Sequence, residues 1–154
     1  MELTNKDIIE YYRKTELSYH LWGPNYHYGY WDGTTNHLFK ATQKLNEVVA
    51  QTASISKDDR ILDAGCGAGG CSVYLAKNIG CHVTGITICP RQINFAYKNA
   101  KKEGVEQLTE FFEMDYHKTE FPDNHFDVVW GLESICYAAG KDRFIQEAYR
   151  VLKK

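Results

Sequence analysis

The chain has 154 residues, enough for one domain with a sizeable core, and its 18 Lys+Arg against 20 Asp+Glu leave a net charge of -2. That balance gives no electrostatic footprint for nucleic acid or for an anionic membrane. No apolar run approaches the roughly 18 residues of a membrane span. Met1–Asp7 lacks the apolar core of a signal peptide, so a cytoplasmic protein is expected. The five cysteines form no C-x-x-C pair, which indicates neither a disulfide framework nor a zinc knuckle, and no metal is expected.

Thr4-Asn5-Lys6-Asp7 reads as a helix start, a capping box with Asp in place of Glu, after which Ile8, Tyr11 and Tyr12 share a face. Residues 17–33 read as irregular, with turns at Gly23-Pro24-Asn25 and Asp32-Gly33. A second helix begins near Thr35, with Leu38, Ala41, Leu45, Val48 and Val49 at helical spacing. Strands and helices then alternate. Strand Arg60–Ala64 leads into a helix carrying Cys71, Tyr74, Leu75 and Ile79. Strand Cys81–Ile86 leads into a helix with Pro90 at its first position, Ile93, Ala96, Tyr97 and Ala100 on its buried side, and Gly104 at its end. Strand Thr109–Met114, a turn at Phe121–Asn124 and strand Phe126–Trp130 follow. The last helix is predicted to bury Ile145, Ala148, Tyr149 and Leu152, while Thr119, Glu120 and His125 read as surface.

This alternation predicts an α/β fold: a Rossmann-like, doubly wound parallel sheet in the order 3-2-1-4. We expect a single domain over 1–154, with an N-terminal helical, aromatic-rich cap and helix over 1–56 and the core over 57–154. With four strands the core reads as incomplete, truncated at its C-terminal side. An apolar fourth strand at the edge would be an association hazard, so a homodimer through that edge and the last helix is expected.

The stretch Ile61-Leu62-Asp63-Ala64-Gly65-Cys66-Gly67-Ala68-Gly69-Gly70 carries the chemistry. An apolar strand ends in an acid, and the six residues Gly65–Gly70 then hold four glycines. Glycine lets a ligand approach the backbone closely. Gly65, Gly67 and Gly70 fit the dinucleotide spacing G-x-G-x-x-G. However, Asp63 would repel a pyrophosphate and attract an amino-acid ammonium. The acid that a dinucleotide site needs after the second strand is also missing, since Thr87 stands there. S-adenosylmethionine therefore stands ahead of a nicotinamide cofactor.

The ordered set resembles the class I S-adenosylmethionine-dependent methyltransferases over nearly the whole chain. Its members are Leu62–Gly67, then Gly85-Ile86-Thr87-Ile88-Cys89-Pro90-Arg91-Gln92, then Met114-Asp115-Tyr116, then Phe121-Pro122-Asp123 leading into Phe126–Trp130. A narrower resemblance is to the small-molecule branch of tocopherol, sterol and sugar methyltransferases and cyclopropane fatty acid synthases. That branch often carries Thr87 and Gln92 where most of the superfamily has an acid. Cys89 stands where the branch has a serine.

The resemblance implies methyl transfer to a small-molecule acceptor, with a non-catalytic S-adenosylmethionine-binding fragment as the alternative. It implies cofactor contacts from Asp63, Gly65, Cys66, Gly67 and Gly69 in the loop, from Thr87, Ile88 and Gln92 around the ribose, and from Asp115 and Tyr116 at the adenine. Residues 11–31 hold eight of the 21 aromatics, a cap composition suited to an apolar acceptor pocket. Within it Tyr19, Tyr28 and Gly29 are assigned to the cofactor and His27 to proton transfer. Glu133, just past the fourth strand, lies where open α/β sheets bind ligands and is the second catalytic candidate.

Overall fold

The structure is a computed structural model and describes residues 4–15 and 23–154. Helix α1 (Asn5–Lys14) opens with the capping box, Thr4 Oγ1 accepting from the Asp7 N–H and Asp7 accepting from the Thr4 N–H. Helix α2 (Leu38–Thr52) starts later than the spacing predicts. The His37 ring caps it by accepting from the Lys40 N–H, and Thr35 is held in a turn with Asp32. The core follows as β1 (Arg60–Ala64), α3 (Gly70–Asn78), β2 (His82–Thr87), α4 (Pro90–Glu103), β3 (Thr109–Glu113) and β4 (Val128–Trp130). A single 3-10 turn (Ile135–Tyr137) and α5 (Lys141–Val151) complete it.

All four strands are parallel, in the order β3-β2-β1-β4 that the sequence predicts. The two central strands are buried on both faces. Ile61 and Val83 pack with Leu75, Ala96 and Ala100 of α3 and α4, whereas Leu62 and Ile86 pack with Phe126 and with Val151 of α5. A strand covered on both sides has no polar face, which is why the sequence there is a near-continuous apolar run. The strand order reverses at β1: the chain runs outward through β2 and β3, then returns to the far side as β4. At such a switch point the loops leaving the carboxyl ends diverge and open a crevice.

Two elements differ from expectation. Only Val128–Trp130 of the fourth strand pairs with β1. Phe126 instead forms an isolated parallel bridge with Leu152 and accepts from the Lys153 N–H, so the residues after α5 lie along the start of the outer edge. Helix α5 also turns a different face inward: Ile145 and Tyr149 are 63% and 67% exposed, whereas Val151 is fully buried. The cause is Glu147. Its carboxylate takes the inward position, hydrogen-bonded by the N–H and hydroxyl of Thr119 and by Arg150, and Thr119 is buried with it rather than lying at the surface.

Candidate functional site

The crevice at the switch point is a cleft of about 770 Å³, part of it open to solvent. Its floor is the turn from β1 into α3. The N–H groups of Gly65 and Cys66 both donate to the Ile86 carbonyl, which pins the turn to the end of β2. The first two glycines of the turn do different work. A Cβ on Gly65 would lie 2.4 Å from the Cβ of Ser134, whose hydroxyl bonds the Ala64 carbonyl; this glycine lets the loop after β4 lie on the turn. Gly67 has φ +54°, and a Cβ there would meet only the Gln92 Nε2 at 3.9 Å, so its backbone faces open cleft.

Asp63 lines this cleft at the end of β1 and is 3% exposed. Burial raises its carboxyl from 3.8 to about 6, against the Ser72 hydroxyl and N–H, which lower it. The Ser72 hydroxyl donates to Oδ2 at 2.6 Å. A carboxylate desolvated to this degree favours a cationic partner. On the next strand, the Thr87 hydroxyl donates to the Gln92 Oε1 at 2.6 Å, and the pair is buried against the cleft. This bond fixes which end of the amide accepts and directs Nε2 toward Gly67.

Glu133 and His27 face the same cleft from the loop after β4 and from the cap. Glu133 holds φ +54°, a left-handed conformation uncommon for a side chain other than glycine and retained only where the surroundings impose it. Its Oε1 accepts from the Tyr28 N–H at 2.9 Å, which ties cap to core. His27 Nδ1 lies 2.7 Å from the Tyr28 carbonyl and so must carry the proton. Burial lowers the imidazole below its ordinary value, outweighing the Tyr28 carbonyl, Glu133 and Asn46, so the ring is neutral near pH 7. Its Nε2 is buried and makes no hydrogen bond among the described residues. The Asn46 amide also acts on this ring, so Nε2 is packed within the protein rather than open to the cleft.

The remaining candidates are divided. Cys66, Ile88 and Tyr116 line the cleft. Burial pushes the Cys66 thiol well above its ordinary value, and burial with the Asp115 charge pushes the Tyr116 hydroxyl up to about 12, so neither ionises near neutral pH. Gly69 is the N-cap of α3, and a Cβ on it would press on Ala96 and Phe111, away from the cleft. Gly29 packs on Ala41 of α2, and the Tyr28 side chain is 81% exposed. Neither lines the cleft; Tyr28 contributes its backbone. Asp115 also lies outside the cleft wall, accepting from the Asn5 amide on one oxygen and from the His117 N–H on the other. Burial would raise its carboxyl, but these bonds prevail and hold it below the usual value. Tyr19 falls outside the described residues.

A buried polar seam beneath the cap has no counterpart in the sequence pattern. A Cβ on Gly70 would lie 2.3 Å from the Pro24 carbonyl oxygen, so this glycine is the seat on which the cap rests. Beside it Asn46 of α2, fully buried, donates to the Asn25 Oδ1 at 3.1 Å and accepts from the Cys71 thiol at 3.3 Å. The one available signal is Gly70 itself, the third glycine of the dinucleotide spacing. Its close approach is to protein backbone rather than to a ligand.

Among the described residues no group of three or more His, Cys, Asp and Glu could hold a metal ion, and no helix is long and apolar enough to cross a membrane. Residues 61–154 match the family described as methyltransferase domain. The chain is similar to 27-O-demethylrifamycin SV methyltransferase of Amycolatopsis mediterranei (strain S699), 38% identical over 133 residues that cover 86% of this chain and 49% of that protein. It is 32% identical to glycine/sarcosine/dimethylglycine N-methyltransferase of Actinopolyspora halophila over 148 residues, 94% of this chain and 26% of that protein. The crystal structure of the [4+2]-cyclase SpnF superposes with a TM-score of 0.90 at 30% identity, covering 99% of this chain and 57% of that one. The chain thus spans between about a quarter and about half of the curated relatives named here.

Proposed function

The chain belongs to the methyltransferase domain family, and on that premise we propose that it binds S-adenosylmethionine in the cleft and directs methyl transfer to a small-molecule acceptor. One observation carries the reading: a fully desolvated carboxylate, an open glycine backbone and a fixed Thr–Gln pair converge on one cleft at the switch point. These residues fit the cofactor. Asp63 would take the ammonium, the open face at Gly67 would admit the nucleoside, and Gln92, fixed by Thr87, would hydrogen-bond the ribose. Asp115 would accept from the adenine amine only if the cofactor extends to the Asn5 side of that loop.

The cofactor, when bound, supplies an activated methyl group. The chain's own residues then have to position an acceptor and, where that acceptor must lose a proton, remove it. Glu133 is available for the second task and His27 is the second candidate, its Nε2 needing to be uncovered first; the Tyr28 N–H and carbonyl bond the two. Calorimetry with S-adenosylhomocysteine and with NADH tests the cofactor: binding of the first alone is expected, and binding of NADH alone refutes the proposal. A labelled methyl donor across an acceptor panel separates transfer from binding without transfer.

The same proposal includes a cytoplasmic, non-nucleic-acid-binding protein, supported by five free thiols and a net charge of -2. It also includes a homodimer through the β4 edge and α5, supported by the exposure of Ile145 and Tyr149. Light scattering at micromolar concentration should read a dimer that charged substitutions at Val128 or Tyr149 dissociate; a monomer removes this part.

A further inference from the structure

The cleft wall carries ionisable charge of one sign. Among the described residues that line it are two carboxylates, Asp63 and Glu133, one neutral imidazole, and neither lysine nor arginine. The guanidiniums of Arg13 and Arg91 line a separate depression between α1 and α4, and both oxygens of Glu10 engage Arg13. Once Asp63 is matched by an ammonium, Glu133 is the anion that an acceptor meets. Apolar and aromatic residues share the wall with it: Leu132 and Ile8 line it, and Tyr12 packs edge-on against Tyr26 and Tyr137; the uncharged polar residues beside them include Asn25 and Ser134.

Resting on the functional reading above, we infer that Glu133 sets acceptor charge: the cleft takes an apolar alcohol or amine and rejects a carboxylate or phosphate. An anionic group entering here leaves water, finds neither lysine nor arginine among the described residues of the wall and faces Glu133. Glu133 cannot readily turn away, because its left-handed backbone and the bond from the Tyr28 N–H fix it. A hydroxyl or ammonium in the same place donates a charge-assisted hydrogen bond to the carboxylate. Glu133 then selects through charge as well as accepting a proton.

Three matched probes share one apolar body and differ in charge: 3-phenylpropanol, 3-phenylpropylamine and 3-phenylpropionate. Each is titrated at pH 7 into isotope-labelled protein, with and without saturating S-adenosylhomocysteine, and the amide shifts of Tyr26, Leu132 and Glu133 are followed. The alcohol and the amine should bind, and the propionate should bind at least about tenfold more weakly. Glu133→Gln, which keeps an oxygen for the Tyr28 N–H, should narrow that gap to roughly threefold or less. A propionate that binds as well as the alcohol overturns the inference. So does a gap that Glu133→Gln leaves unchanged, or an absence of cleft shifts from both alcohol and amine. If S-adenosylhomocysteine fails to bind, the functional reading falls, while the ranking measured without it still decides the charge rule.

Discussion

Asp63→Asn isolates the carboxyl on which the cofactor reading depends. In the folded chain burial raises this group to about 6 from an ordinary 3.8, even with Ser72 lowering it. An acid whose folded pKa lies above its unfolded value stabilises most below the unfolded value, and that contribution is lost as pH rises through the folded one. The window is pH 3.8 to about 6. A gap of about two pH units corresponds to about 3 kcal/mol of stability lost across that window. The side chain is only 3% exposed, so solvent screening takes little away. The amide introduced by the substitution still offers an oxygen to the Ser72 hydroxyl and never ionises. Without ligand, the stability of Asp63→Asn relative to wild type should therefore rise by about 2–3 kcal/mol between pH 4 and pH 7. Urea unfolding followed by circular dichroism at each pH measures the difference, in which titration of every other group cancels. The variant should also bind S-adenosylhomocysteine about 1.5–3 kcal/mol more weakly at pH 7, as for a lost hydrogen bond to a charged group. Wild-type affinity should fall about tenfold per pH unit below 6, whereas the variant's stays level. A stability difference that does not change between pH 4 and pH 7 would refute the argument that burial raises Asp63.

Gly67→Val should cost about 1–2 kcal/mol through its left-handed backbone while the chain stays folded, and should abolish S-adenosylhomocysteine binding in calorimetry; retained binding would move the cofactor off this loop. Gly70→Ala pushes a methyl into the Pro24 carbonyl and should destabilise by about 1–3 kcal/mol, with faster proteolytic cleavage within residues 23–31 and unchanged far-ultraviolet dichroism of the core. Arg150→Met should destabilise by about 1–2 kcal/mol, a figure reduced because the Arg150 side chain is 34% exposed. Arg150 holds the Glu147 carboxyl at about 2, below its ordinary 4.5, so this contribution is present above pH 4.5 and is lost as pH falls toward 2; the variant should show a shallower acid transition.

The strands and the glycine turn were legible because their signals are local. A strand buried on both faces must be apolar at every position, and a turn facing a ligand must lack side chains at fixed offsets. The face of α5 was not legible. Its inward position at Glu147 is charged, and only the partners Thr119 and Arg150, reached through tertiary structure, make that burial tolerable. The cap seam was hidden for a related reason. Asn25 and Asn46 are 21 positions apart, Asn46 and Cys71 are 25 apart, and no periodicity announces such a pair. Gly29 and Gly69 are cofactor candidates in the sequence. In the structure a Cβ on either would meet an Ala side chain, and sequence alone cannot say whether the neighbour that excludes a Cβ is protein or ligand.

The bonds that hold the cap are mostly polar, and several end on the cleft itself. Helix α1 fully buries no residue; it meets the core through the hydrogen bond from Asn5 to Asp115 and through Tyr12, which packs edge-on against Tyr137. The following loop is tied by the Tyr28 N–H to Glu133 and by Asn25 to Asn46. An exposed bond such as the first contributes little, because water replaces it. Asn46 is different: it is fully buried, and withdrawing the cap would strip it of Asn25, leaving an unpaired polar group at a cost of about 1–3 kcal/mol. Among the described residues, the segment around Pro24–Tyr28 that rests on Gly70 therefore carries the buried polar tie, while α1 adds the Tyr12 contacts with Tyr26 and Tyr137. His27 sits on this cap segment and Glu133 on the loop after β4, and the Tyr28 backbone joins the two.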